Sequence, residues 1–191
     1  MSSVALRVIR HEHLALAAML QSLTTMVVQS RRSGTVPDFG VMRAMLFYVD
    51  EFPERLHHTK ESALLFPCVR ERVPALGPVL DRLERDHEQG ERAIRDLAHA
   101  LLAFEVMGES RRAAFEQTLE RYVRSYLDHM AIEEREILPA AQQHLTDADW
   151  AALDAAFAAN RDPLTGHEPE EEYRALFHKI SMTAKAPIGF G

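Results

Sequence analysis

The pattern histidine, three residues, glutamate, five residues, proline occurs twice in this chain, from His57 to Pro67 and from His129 to Pro139. Residues four apart share one face of an α-helix about one turn apart, so each copy sets an imidazole beside a carboxylate near a helix end. A further histidine precedes each copy at a similar distance, His13 before His57 and His87 before His129. The chain therefore reads as two related helical hairpins.

Periodicity agrees. Apolar residues recur at helical spacing through most of residues 1 to 160, and no alternating run with turn signals marks a strand pair. A first helix is expected over about Val4 to Gln29, with Leu6, Ile9, Leu16 and Leu20 on one stripe. A second spans about Pro37 to Phe66, bent at Pro53 and closed by Pro67. A third opens at Pro78 and runs to about Val106, where Gly108 ends it, and a fourth runs from near Ser110 until Pro139 breaks it. Long helices with short connections predict an all-α, up-down-up-down four-helix bundle over residues 1–145. Residues 146–191 read as a short helix through Trp150, Leu153 and Phe157, then a tail. The tail holds an acidic run, Glu168 to Glu172, one amphipathic docking piece (Tyr173, Leu176, Phe177, Ile180) and a closing Ala-Pro-Ile-Gly-Phe-Gly.

Composition removes several function classes. Lys and Arg number 22 against 29 Asp and Glu, a formal charge of −7, so the clustered cations that nucleic-acid binding needs are not expected. A lone cysteine, Cys68, excludes an intrachain disulfide framework and any cysteine-based zinc or iron–sulfur site. No apolar run is long enough to span a bilayer, and the start MSSVALRVIRHEH lacks a signal-peptide core, so a cytoplasmic protein without a membrane partner is expected.

Histidine is the unusual residue, with 10 in the chain. His-x-x-x-Glu pairs stand on helices two, three and four as His57/Glu61, His87/Glu91 and His129/Glu133, each inside the apolar stripe of its helix. Buried carboxylates without partners cost several kcal/mol each, and a shared cation removes that cost. On helix one, His13 shares the stripe of Ile9 and Leu16, whereas His11 lies about 200° round the helix. The candidate metal ligands are therefore His13, His57, Glu61, His87, Glu91, His129 and Glu133, with Glu91 either a ligand or a solvated glutamate. His58, about 100° from His57, is expected to face another helix or water. So many donors are too many for one four-coordinate zinc and suit two octahedral ions bridged by carboxylates. Mixed imidazole and carboxylate ligation favours iron, with manganese as the alternative.

These residues resemble the hemerythrin-like, or HHE cation-binding, family. The resemblance rests on His13, His57-x-x-x-Glu61 with Leu65-Phe66-Pro67, Asp86-His87, and His129-x-x-x-Glu133-Glu134 with Ile137-Leu138-Pro139, and it covers about residues 5 to 145. It implies a non-haem centre of two iron ions, ferrous or ferric and oxo- or hydroxo-bridged. The carboxylates matching Glu61 and Glu133 would bridge, with terminal imidazoles matching His13, His57, His87 and His129. It also implies a small diatomic ligand or peroxide, namely dioxygen, nitric oxide or hydrogen peroxide, in sensing, detoxification or iron handling. Two departures matter. Oxygen-carrying members place a fifth histidine one turn after the third-helix histidine, where this chain has Glu91, and they use His-x-x-x-x-Asp on helix four. A carboxylate at Glu91 would add charge that favours the ferric state, which predicts a poor reversible oxygen carrier. Two other classes remain open. One is a ferritin-like di-iron oxidase or ferroxidase, for which Glu54-x-x-His57 and Glu84-x-x-His87 have the spacing, and the other is a metal-free helical interaction module.

Overall fold

The computed structural model describes residues 3–184 and Ile188, and it is helical, with no strand among the described residues. Four long helical segments come first: α1 (Val4–Ser33), α2 (39–72), α3 (Gly77–Met107) and α4 (112–144). Two shorter helices follow, α5 (Asp147–Phe157) and α6 (Glu171–Thr183). The ends obey local chemistry. The Ser3 hydroxyl accepts the Leu6 N–H at the start of α1, and Gly34 closes that helix at φ 64°, a left-handed conformation that glycine adopts without strain. Thr146 and Asp149 form a reciprocal capping box on α5.

The prolines act differently from the expectation. Pro67 and Pro139 do not end their helices, which continue to Arg72 and His144. Each lies just after a wide π turn, Glu61–Leu65 in α2 and Glu133–Ile137 in α4. In both turns the residue before the proline donates its N–H to the carbonyl of the repeat's glutamate five residues back, Phe66 to Glu61 and Leu138 to Glu133. Proline has no N–H and its ring collides with the carbonyl of the preceding turn, and the wider turn removes both difficulties without breaking the rod. A third π stretch, Asp50–His57, surrounds Pro53. The repeated motif thus encodes a bulge at each glutamate.

Adjacent long helices pack in sequence, α1 on α2, α2 on α3, α3 on α4, and α4 back on α1. Two apolar clusters fill the interior. One gathers Leu16, Leu20, Met45, Phe52, Ile94, Leu97, Phe115 and Tyr126, and the other Ile9, Leu65, Phe66, Leu83, Ile137 and Phe157. Every long helix passes from one cluster to the other, and the buried His and Glu residues occupy the seam: His13 lies between Ile9 and Leu16, and His87 between Leu83 and Ile94. Helix α5, which contains the short helix expected through Trp150, Leu153 and Phe157, covers the second cluster with Leu153 and Phe157. Helix α6 seats Phe177 and Ile180 on the first, with Phe177 edge-on to Tyr48 and Phe52. The closing residues 186–191 lie outside the described residues, Ile188 excepted. No helix among the described residues is long and apolar enough to cross a membrane.

Candidate metal centre

Four imidazoles and two carboxylates converge at the seam, one imidazole from each long helix. The arrangement is paired. Nε2 of His57 lies 3.0 Å from one oxygen of Glu61, and Nε2 of His87 lies 3.6 Å from the other. Nε2 of His13 and of His129 lie 3.3 and 3.4 Å from the two oxygens of Glu133. Each carboxylate therefore spans two imidazoles on different helices. Glu61 is 0% exposed and Glu133 1%. All four of their carboxylate oxygens, together with Nε2 of His57, make no hydrogen bond. Leaving such groups unpaired is expensive, so a cation is the partner that this donor set fits.

The outer nitrogens show the same order. Nδ1 of His57 pairs with Glu12 at 2.6 Å, Nδ1 of His13 with Glu134 at 3.1 Å, and Nδ1 of His87 with the Ser62 hydroxyl at 2.8 Å. Nδ1 of His129 faces Asp86 at 3.6 Å. For His57, His13 and His87, fixing the outer nitrogen in this way fixes the ring and aims Nε2 inward, the arrangement that orients histidines at metal sites, and inside the seam Nε2 of His87 and of His129 meet at 3.0 Å. Glu12 is itself held by the Asn160 amide, whose oxygen accepts from Lys60, so the segment after α5 reaches the centre.

Electrostatics bind the cluster tightly. Although burial opposes it, Glu133 and Asp86 hold the His129 pKa up at about 10. Burial likewise opposes a charge on His57, yet Glu61 and Glu12 hold its pKa well above the usual imidazole range. Burial and then the neighbouring imidazoles push His87 and His58 down, so these two rings are neutral. Of the two carboxylates, burial and the charge of Glu133 raise Glu61, while Glu133 is held low against its own burial by His129 and His13. Metal ions placed between the carboxylates would take over the charge balance that protonated imidazoles otherwise supply.

Six of the seven ligand candidates, His13, His57, Glu61, His87, His129 and Glu133, meet at this seam. Glu91 does not. Its side chain points to solvent and pairs with Arg95 at 3.0 Å, so the charge argument against reversible oxygen binding loses its basis. The i,i+4 spacing fails on α3 because the stripe continues from His87 to Ile94, which leaves position 91 on the outer face. His11 is exposed, in accord with its helical phase.

His58, outside the candidate ligand set, lies at the same seam. It is buried, stacks on His87 with ring centroids 4.0 Å apart, and groups with Glu61, His87 and His129 closely enough to hold one ion. A uniform rotation per residue sets it toward another helix or water; it does meet α3 and α4, and the π stretch around Pro53 changes the phase so that both His57 and His58 lie inside the seam. Pro53 four residues before His57 was the available signal. Glu54, noted in the sequence only for its spacing to His57, holds His58, while Glu12 and Asn160 are not among the candidates, and for Asn160 no local sequence signal exists.

Two cavities reach the cluster. A chamber of about 20 Å³, lined by Leu16, Phe52, Leu56 and Met130, touches His13, His57 and His58, with room for a water-sized molecule. A cleft of about 290 Å³ between α3 and α4, lined by Asp86, Gln89, Arg121 and Ser125, reaches His58 and His129.

No curated protein matches the chain significantly. Residues 4–141 match the Hemerythrin HHE cation binding domain, a span that contains all the long helices' ligand positions described above. With that match over residues 4–141 and a buried histidine–glutamate cluster whose donors lie close enough to hold a metal ion, the chain belongs to the hemerythrin HHE cation-binding family.

Proposed function

We propose that this protein is a cytoplasmic non-haem di-iron protein whose centre binds a small diatomic molecule or peroxide, in sensing, detoxification or iron handling. The observation that carries the reading is the pairing: Glu61 spans His57 and His87, and Glu133 spans His13 and His129. Two ions bridged by two carboxylates account for both spans at once, one near His13 and His57 and the other near His87 and His129. Imidazole with carboxylate ligation suits iron, with manganese the alternative. The alternation of the long helices between the two apolar clusters supports an up-down-up-down four-helix bundle.

Iron would supply a redox-active Lewis acid with a position for an exogenous ligand. The chain's own part is to orient and to exclude water. Glu12, Glu134 and Ser62 lock His57, His13 and His87 from outside, Asp86 faces the outer nitrogen of His129 at 3.6 Å, and the two apolar clusters flank the seam on either side. The chamber beside His13 and His57 has apolar walls and suits an uncharged diatomic molecule.

A ferritin-like carboxylate oxidase fits less well. Glu84 of the Glu84-x-x-His87 match is partly exposed and pairs with Arg70 at 3.0 Å, and Glu54 accepts from Tyr122, so neither glutamate joins the bridging pair.

Metal analysis of protein purified without added metal, followed by separate anaerobic additions of dioxygen and nitric oxide to the ferrous form, tests the reading. About two irons per chain and a new absorption band with either gas are expected. Protein that retains no transition metal after ferrous reconstitution would make it a helical interaction module instead.

A further inference from the structure

His58 shares the burial and the carboxylate-held outer nitrogen seen among the terminal imidazoles, although neither the repeat nor the family pattern includes it. It is 6% exposed, in a seam where His13, His57, His87 and His129 are equally buried. Its Nδ1 lies 3.2 Å from a Glu54 oxygen, the same kind of outer-nitrogen restraint that Glu12, Glu134 and Ser62 give His57, His13 and His87. Glu54 is placed with care. The Tyr122 hydroxyl donates to its other oxygen at 3.0 Å, and it sits so close to α3 at Gly90 that a Cβ there would come within 2.6 Å of the carboxylate. The remaining nitrogen of His58, Nε2, lies 3.1 Å from the Tyr126 hydroxyl, and the ring groups with Glu61, His87 and His129 closely enough to share one ion. Burial and the surrounding imidazoles keep the ring neutral, the form in which a histidine ligates.

We propose that His58 is a fifth imidazole ligand, delivered by α2 to the ion held by His87 and His129, with Glu54 as the group that orients it. This rests on the di-metal reading above and adds a donor to it. The reason is topological. Helix α3 presents no imidazole to the centre after His87: Glu91 faces solvent, Gly90 offers only backbone where Glu54 approaches, and His99 is exposed. The π stretch Asp50–His57 instead turns two consecutive residues of α2 inward, so His57 serves one ion and His58 the other. Tyr126 is the residue that must yield: with Nε2 of His58 engaged, its hydroxyl gives up that 3.1 Å contact.

Anaerobic titration of metal-depleted full-length protein with cobalt(II), read by visible absorption and by calorimetry, tests the proposal. The parent is expected to take up two ions. His58→Ala and His58→Gln should each weaken one of the two ions by more than the ~10–100-fold that outer-shell partners typically contribute, and should shift its absorption bands. Glu54→Gln should fall within that ~10–100-fold range, and Tyr126→Phe should keep both ions. His58→Gln retains a hydrogen-bonding side chain, so with a parent-like far-UV spectrum it separates ligation from folding. If that folded variant binds both ions with the parent's affinity and bands, or if Tyr126→Phe loses an ion as His58→Ala does, His58 is a hydrogen-bonded core histidine and the proposal is wrong. A parent that binds no cobalt overturns the di-metal reading itself, a separate outcome.

Discussion

Replacing Glu12 with Gln probes the support behind a single ligand without removing any donor. Glu12 is 8% exposed, pairs with Nδ1 of His57 at 2.6 Å and receives two contacts from the Asn160 amide at 2.8 and 3.0 Å. Gln is nearly isosteric and can still accept from Asn160, but it gives up the negative charge that raises the basicity of the His57 ring. Loss of such an outer partner typically costs ~10–100-fold in metal affinity, or ~1.4–2.8 kcal/mol. At saturating metal the same free energy leaves the folding equilibrium, since the metal binds only the native site. For a chain of this size, ~2–4 °C of melting temperature per kcal/mol converts this to a loss of ~3–11 °C in the stabilisation that metal provides. The assay is a pair of thermal melts for each protein, metal-depleted and with excess ferrous ion under anaerobic conditions. Comparing the two gains cancels whatever the substitution does to the apoprotein. Equal gains in parent and variant would refute the claim that Glu12 sets the His57 ring for metal.

Three further outcomes follow from particular contacts. Glu91→Ala should leave metal content unchanged and stability within ~0.5 kcal/mol, because an exposed pair with Arg95 contributes little; a loss of iron would return Glu91 to the site. Phe157→Ala should destabilise by ~3–5 kcal/mol on denaturant melts, since that ring is fully buried where α5 closes the second cluster, beside His57; a cost near zero would show that α5 is dispensable. Asp162 has its pKa pushed up to about 6 by burial, opposed by the Tyr48 hydroxyl and the Leu164 N–H that bond it. The native state thus holds this proton more tightly than the unfolded chain does, and stability falls as pH rises from about 4 to about 6. Asp162→Asn should accordingly raise the melting temperature of metal-depleted protein at about pH 8, with the advantage vanishing below about pH 4. A larger benefit in acid than in base would contradict the sign.

The repeat proved legible because its chemistry is local. A histidine and a glutamate four apart on one helix must lie close, and the apolar stripes on α1, α3 and α4 turn His13, His87 and His129 inward whatever the partners are. The same simple phase misjudged Glu91, which lies beyond the inward arc of α3, and left His58, which lies beyond a π turn, outside the ligand set.

What the sequence by itself determined was the helical class, the family pattern and one imidazole per long helix, since periodicity and i,i+4 spacing are properties of single helices. It also carried the prolines, though their effect became visible only when the backbone showed π turns instead of helix ends at Glu61 and Glu133. The tertiary structure alone decided which carboxylate spans which imidazoles, because Glu61 meets His87 and Glu133 meets His13 only across helix interfaces. It alone decided the outer partners too. Asn160 reaches Glu12 across 148 positions of sequence, and such a pairing is fixed by how the segment after α5 packs against α1 and not by any spacing along the chain.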